Sequence, residues 1–128
     1  GRLLEPAARR FDGLTLVIDH CGWGRNPEQW QEVLALARHR NTVLKWSHPG
    51  RAFRRHADPA QAERRGLVDA VAAFGADRVM WASDVSFDMS NASWSELLSA
   101  VRDHPGLSVD ERGWVLGRTA RRVHRWEA

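Results

Sequence analysis

The stretch Arg78-Val79-Met80-Trp81-Ala82-Ser83-Asp84 runs apolar and turns polar at its last residues. Leu14-Thr15-Leu16-Val17-Ile18-Asp19-His20 and Thr42-Val43-Leu44-Lys45-Trp46-Ser47-His48 follow the same pattern upstream. Runs that are hydrophobic without clean alternation suit parallel strands buried on both faces. The C-terminal ends of parallel strands lie along one edge. His20, His48 and Asp84 are therefore expected on a common rim despite their separation in sequence.

Helical patterns lie between these strands. Asn26 is a good cap before Pro27, and Trp30, Val33, Leu34 and Ala37 make one apolar stripe that ends at Asn41. A second helix is expected over residues 59–73, with Gly75 as its C-terminal cap. Ser93 with Glu96, and Ser108 with Glu111, have the spacing of capping boxes. Gly117 is expected to split the last helix, and residues 7–11 read as the tail of a helix. Connections of this length between parallel strands are right-handed crossovers. The fold class is therefore α/β, with three parallel strands and intervening and terminal helices. Three strands do not close a barrel, and an eightfold barrel needs about 250 residues. Residues 1–128 are read as one segment, incomplete on its own, whose open sheet needs neighbours.

Composition narrows the function. With 43% hydrophobic and 27% charged residues, the chain is of ordinary globular character rather than disordered. The net charge of +3 is carried by scattered arginines, with Lys45 the sole lysine. That pattern gives no dense basic patch and no nucleic-acid motif. No apolar run is long enough for a membrane span. Cys21 is the single cysteine and has no internal disulfide partner. A reducing cytoplasm is the default expectation.

Several side chains are candidates for chemistry. His20, at a strand end with Gly22 soon after, suits a zinc ligand or a general base, or else caps backbone groups. Asp84 suits a metal ligand or a water-activating base, or else caps a turn. His48, before Pro49-Gly50, either contacts a ligand or is solvated. Lys45 either serves a substrate carboxylate or pairs with an acid in the wall. Arg25 suits an anionic substrate. Trp23, Trp46 and Trp81 either wall a pocket or pack. Cys21 reads as packing, and Asp88 and Asn91 as surface. His39, His56, His104 and His124 also read as surface.

Taken together, Val17-Ile18-Asp19-His20-Cys21-Gly22, Val43-Leu44-Lys45-Trp46-Ser47 and Phe74-Gly75-Ala76-Asp77-Arg78-Val79-Met80-Trp81-Ala82-Ser83-Asp84 resemble the amidohydrolase-related family, in its amidohydrolase 2 branch. Thr119-Ala120-Arg121-Arg122-Val123-His124 is similar to the family's closing helix. The resemblance implies the C-terminal part of a (β/α)8 barrel, strands six to eight. It implies a hydrolase of a small lactone or carboxylated substrate, with a non-oxidative decarboxylase or a non-catalytic barrel-derived subunit as alternatives. By that likeness Asp84 and His20 are catalytic, and Asp84, with His20 second, holds a divalent metal, zinc first. Lys45, His48, Arg25 and Trp23 are the substrate-binding candidates. With two candidate ligands here, no metal held by this segment alone is the equal alternative. The implied partners are a small-molecule substrate and the missing N-terminal strands, from the same chain, another chain or an oligomer. Neither nucleic acid nor membrane is implied. The family's Ser-Gly after strand seven stands here as Ser47-His48, and its Asp-Trp-Pro as Asp84-Val85-Ser86.

Overall fold

A computed structural model describes residues 3–85 and 92–126; Asp88 and Asn91 lie outside them. Its sheet has three strands in the order β1 (Leu16–Ile18), β2 (Thr42–Trp46), β3 (Val79–Trp81), both pairs parallel. Ile18 pairs with Leu44, which pairs with Val79, and Trp46 pairs with Trp81. The strands are shorter than the sequence pattern suggests. Each leaves the ladder before its polar tip, because the backbone turns left-handed there: φ is 53° at His20, 49° at His48 and 51° at Asp84.

Helices pack against the sheet through Ile18, Leu44, Trp46 and Val79. The chain runs α1 (Glu5–Arg10), α2 (Pro27–Leu34), α3 (Pro49–Ala52), α4 (Pro59–Phe74), α5 (Trp94–Arg102), α6 (Val109–Gly113) and α7 (Thr119–His124) around the strands. Asn26 accepts from the Gln29 amide to start α2, and Asp58 does the same from Gln61 for α4. Both expected capping boxes form, each with its serine and glutamate bonded reciprocally. Asn41 follows a 3-10 turn at Ala35–Arg38 and donates to the carbonyls of Ala8 and Phe11, joining α1 to the strand edge. Pro49-Gly50 opens the short helix α3. One expectation needs correction. Gly117 does not split the last helix; a π-helical stretch at Trp114–Arg118 keeps α6 and α7 continuous, absorbing the glycine as one widened turn.

Successive strand residues face opposite ways. Ile18, Leu44 and Val79 turn to the helices and are almost fully buried. Burial of one such side chain stabilises by roughly 1.5–3 kcal/mol. Trp46 joins them, with its ring edge-on to Trp30 at 6.3 Å and 5.8 Å from Phe53. Val17, Lys45 and Asp19 belong to the other face, and Val17 is 38% exposed.

Phe53 fits against α4 only because residue 66 lacks a side chain. A Cβ on Gly66 would lie 2.6 Å from the Phe53 Cζ atom. Gly66→Ala gains about 1 kcal/mol of helix propensity, but it overpacks a core with no room to give. A net loss of about 1–2 kcal/mol in urea unfolding is expected; an unchanged midpoint would contradict this packing.

Candidate functional site

The three strand ends converge on one carboxylate. His20 Nδ1 lies 3.1 Å from Asp84 Oδ2, and His48 Nε2 lies 3.0 Å from the same oxygen. One ligand atom from each residue lies within 4.8 Å of the others. The cause is the register. The C-terminal exits of adjacent parallel strands bring residues separated by dozens of positions to one rim, and the left-handed backbone at His20, His48 and Asp84 accompanies the convergence of their side chains.

Those turns cost energy. A non-glycine residue in the left-handed region is disfavoured by roughly 1–2 kcal/mol. Histidine and aspartate bear it better than most. After β1, positive φ extends over four consecutive residues, His20, Cys21, Gly22 and Trp23. Gly22 is indispensable to that turn. A Cβ there would lie 2.6 Å from Val33 Cγ2 and 3.2 Å from Ile18 Cγ2. Backbone strain of this kind gathers at functional sites, where the surrounding packing holds it.

Neighbouring groups fix the imidazoles. Ser47 Oγ lies 3.0 Å from His20 Nδ1. Trp23 stacks on His48 with ring centroids 6.5 Å apart and planes 9° from parallel, and its ring is 5.2 Å from His20. The Arg25 guanidinium carbon lies 5.3 Å from the Trp23 ring centre, and that of Arg51 lies 5.8 Å away. Both distances are in cation–π range. The rim therefore carries an imidazole pair, a carboxylate, an indole wall and two guanidinium groups close to it. Such a set suits a small substrate bearing negative charge.

Of the residues singled out from sequence, His20, His48, Asp84 and Trp23 come together, and Arg25 reaches them through Trp23. Lys45 does not join them; its Nζ is 2.5 Å from Asp19 Oδ1 on the other face. Trp46 packs in the core, and Trp81 packs edge-on to Trp94 at 6.0 Å. Cys21 is fully buried and donates its thiol to the Ser47 carbonyl at 3.3 Å. Burial pushes its pKa well above the usual thiol range, so it is no nucleophile at neutral pH. His104, expected at the surface, is buried. Its Nδ1 accepts from the Gly106 amide and its Nε2 faces the Arg64 carbonyl, each at 3.1 Å, so it ties the turn before α6 to α4. Ser47 and Arg51 were missed. The serine hides inside a strand pattern, and the arginine reaches the rim only because Pro49-Gly50 begins a helix.

The amidohydrolase family model matches residues 2–126. An amidohydrolase from Burkholderia multivorans, solved with bound HEPES, is 28% identical at a TM-score of 0.81, over 95% of this chain and 48% of that one. A second crystal form of that protein, with bound zinc, is 27% identical at a TM-score of 0.81 with the same coverage. A Pseudomonas putida structure named "Putative 2-Pyrone-4,6-Dicarboxylic Acid Hydrolase" is 27% identical at a TM-score of 0.79, over 98% of this chain and 48% of that one. The chain thus spans about half the length of these structures, and its three parallel strands are part of an amidohydrolase-type TIM barrel. No curated protein sequence matches it.

Glu63 of α4 lies near this region, with its Oε2 3.9 Å from where a Gly50 Cβ would stand. Burial raises its pKa, and Arg64 opposes the shift. A carboxyl with a raised folded-state pKa binds its proton more tightly in the native state. Its ionisation therefore costs stability as pH rises above the unfolded value of about 4.3. Glu63→Gln removes that cost. The variant should melt higher than the parent at pH 7.5 and equal to it near pH 4; a gain that is constant with pH would contradict this assignment.

Proposed function

The chain belongs to the amidohydrolase family, and on that premise we propose that it is part of a hydrolase whose Asp84 activates water against a small lactone or carboxylated substrate. The observation that carries this reading is the placement of Asp84. Its carboxylate meets two imidazoles and is still 27% exposed, so water reaches it. In the proposed step Asp84 takes a proton from water as the oxygen attacks the lactone carbonyl. The ring carbon–oxygen bond then breaks, and Asp84 passes the proton it took from water to the departing oxygen, with His20 3.1 Å away positioning the carboxylate. Trp23 walls the substrate, and Arg25 favours its anionic groups. The name of the Pseudomonas putida relative suggests a lactone bearing carboxylates.

His20 and Asp84 also fit a divalent metal, an imidazole and a carboxylate being ordinary zinc donors. The zinc-bound Burkholderia multivorans relative points to that ion. A metal there would stabilise negative charge on the carbonyl oxygen. The remaining barrel strands, from this or another chain, would close over the face that carries Val17, Asp19 and Lys45. No helix among the described residues is long and apolar enough to cross a membrane.

Asp84→Asn tests the role of the carboxylate. Asparagine accepts the left-handed backbone found at this position, so folding should persist. In the complete protein, turnover of the best substrate from a panel of lactones and aromatic acids should fall by about 10²–10⁴-fold with an unchanged circular dichroism spectrum. An unchanged rate would remove Asp84 as the essential base.

A further inference from the structure

We propose that His48 is a metal ligand, and that with His20 and Asp84 it makes a three-ligand site for a divalent transition-metal ion built wholly from the three strand ends of this chain. The proposal deepens the hydrolase reading, because Asp84 serves both. It assigns His48 a role that the sequence pattern did not.

The geometry supports it first. A tetrahedral zinc ion with bonds of about 2.0–2.1 Å keeps its ligand atoms about 3.3 Å apart. His20 Nδ1 and His48 Nε2 stand 3.1 Å and 3.0 Å from Asp84 Oδ2, and all three ligand atoms fall within 4.8 Å. Small rotations of these side chains open that triangle around an ion. Two imidazoles and one carboxylate form the ligand set of many catalytic zinc sites, with the fourth position left for water.

The backbone supports it independently. His48 sits at φ 49°, a conformation that glycine adopts freely and histidine, though better suited than most residues, adopts at some cost. The turn itself therefore does not require an imidazole. A histidine here carries a conformational penalty that its side chain must offset, and that side chain is aimed at Asp84.

The surroundings hold the His48 ring in place. The His48 side chain is 1% exposed and stacked under Trp23, which fixes its plane. Ser47 Oγ occupies the coordinating nitrogen of His20 at 3.0 Å, a contact that a metal would replace. Cys21, though adjacent in sequence, turns its thiol to the Ser47 carbonyl and stays outside the set.

His48→Gly is the decisive variant, because glycine relaxes the backbone and should not impair folding. Zinc affinity would be measured by calorimetry on the complete protein, alongside the visible spectrum of the cobalt-substituted form. Loss of an outer-shell partner typically lowers affinity 10–100-fold, so loss of a direct ligand should lower it about 100-fold or more. The cobalt bands should shift as a nitrogen donor leaves, while the melting temperature of the metal-free variant is equal to or above that of the parent. Zinc affinity within about threefold of the parent, or a parent that binds no zinc, would overturn the assignment. If His48→Gly loses the metal while Asp84→Asn keeps full turnover, the hydrolase reading fails and the metal site stands. If Asp84→Asn abolishes turnover while His48→Gly keeps its zinc, the reverse holds.

Discussion

A single oxygen atom, Oδ2 of Asp84, organises this rim. Two imidazoles from two other strand ends approach it at 3.1 Å and 3.0 Å. That arrangement needs parallel strands in one register and a left-handed turn at each exit. A one-residue slip of β2 would turn His48 to the wrong side and replace the Leu44 contact with a lysine. Core packing and site geometry are thus the same constraint seen from two ends of the strand. Leu44 and Trp46 lock β2 against the helices, and the residues just beyond them are thereby aimed at Asp84.

The cost of the site falls on the backbone. Residues 20–23 all adopt positive φ, and only Gly22 does so freely. Val33 of α2 fills the space beside Gly22, so the first helix after the turn clamps it. Strain therefore persists because tightly packed neighbours leave no relaxed alternative.

Much of the fold was legible because its signals are local. Asn26, Ser93 and Ser108 each announce a helix start through a side chain that accepts an amide three residues on, and Asp58 does the same in the structure. The strands were legible from apolar runs, and the rim from the polar residues that end them. What stayed hidden depends on contacts distant in sequence or on unusual torsions. Nothing in His20-Cys21-Gly22-Trp23 beyond its glycine announces a left-handed turn. His48 was expected on the rim, but its approach to the same Asp84 oxygen as His20 emerges only from the register and the left-handed turns. His104 looks like a surface residue until the Arg64 carbonyl is found above it. Lys45 carried two readings, and Asp19 is its partner in the structure.

The account's central claim is that His20, His48 and Asp84 share one point in space. A crystal structure of the complete protein soaked in zinc, with anomalous data collected on both sides of the zinc edge, tests it most directly. The claim predicts one strong peak at about 2.0–2.2 Å from His20 Nδ1, His48 Nε2 and an Asp84 oxygen, with positive φ at all three residues. A zinc peak coordinated without His48, or an Asp84 side chain turned away from both imidazoles, would contradict it.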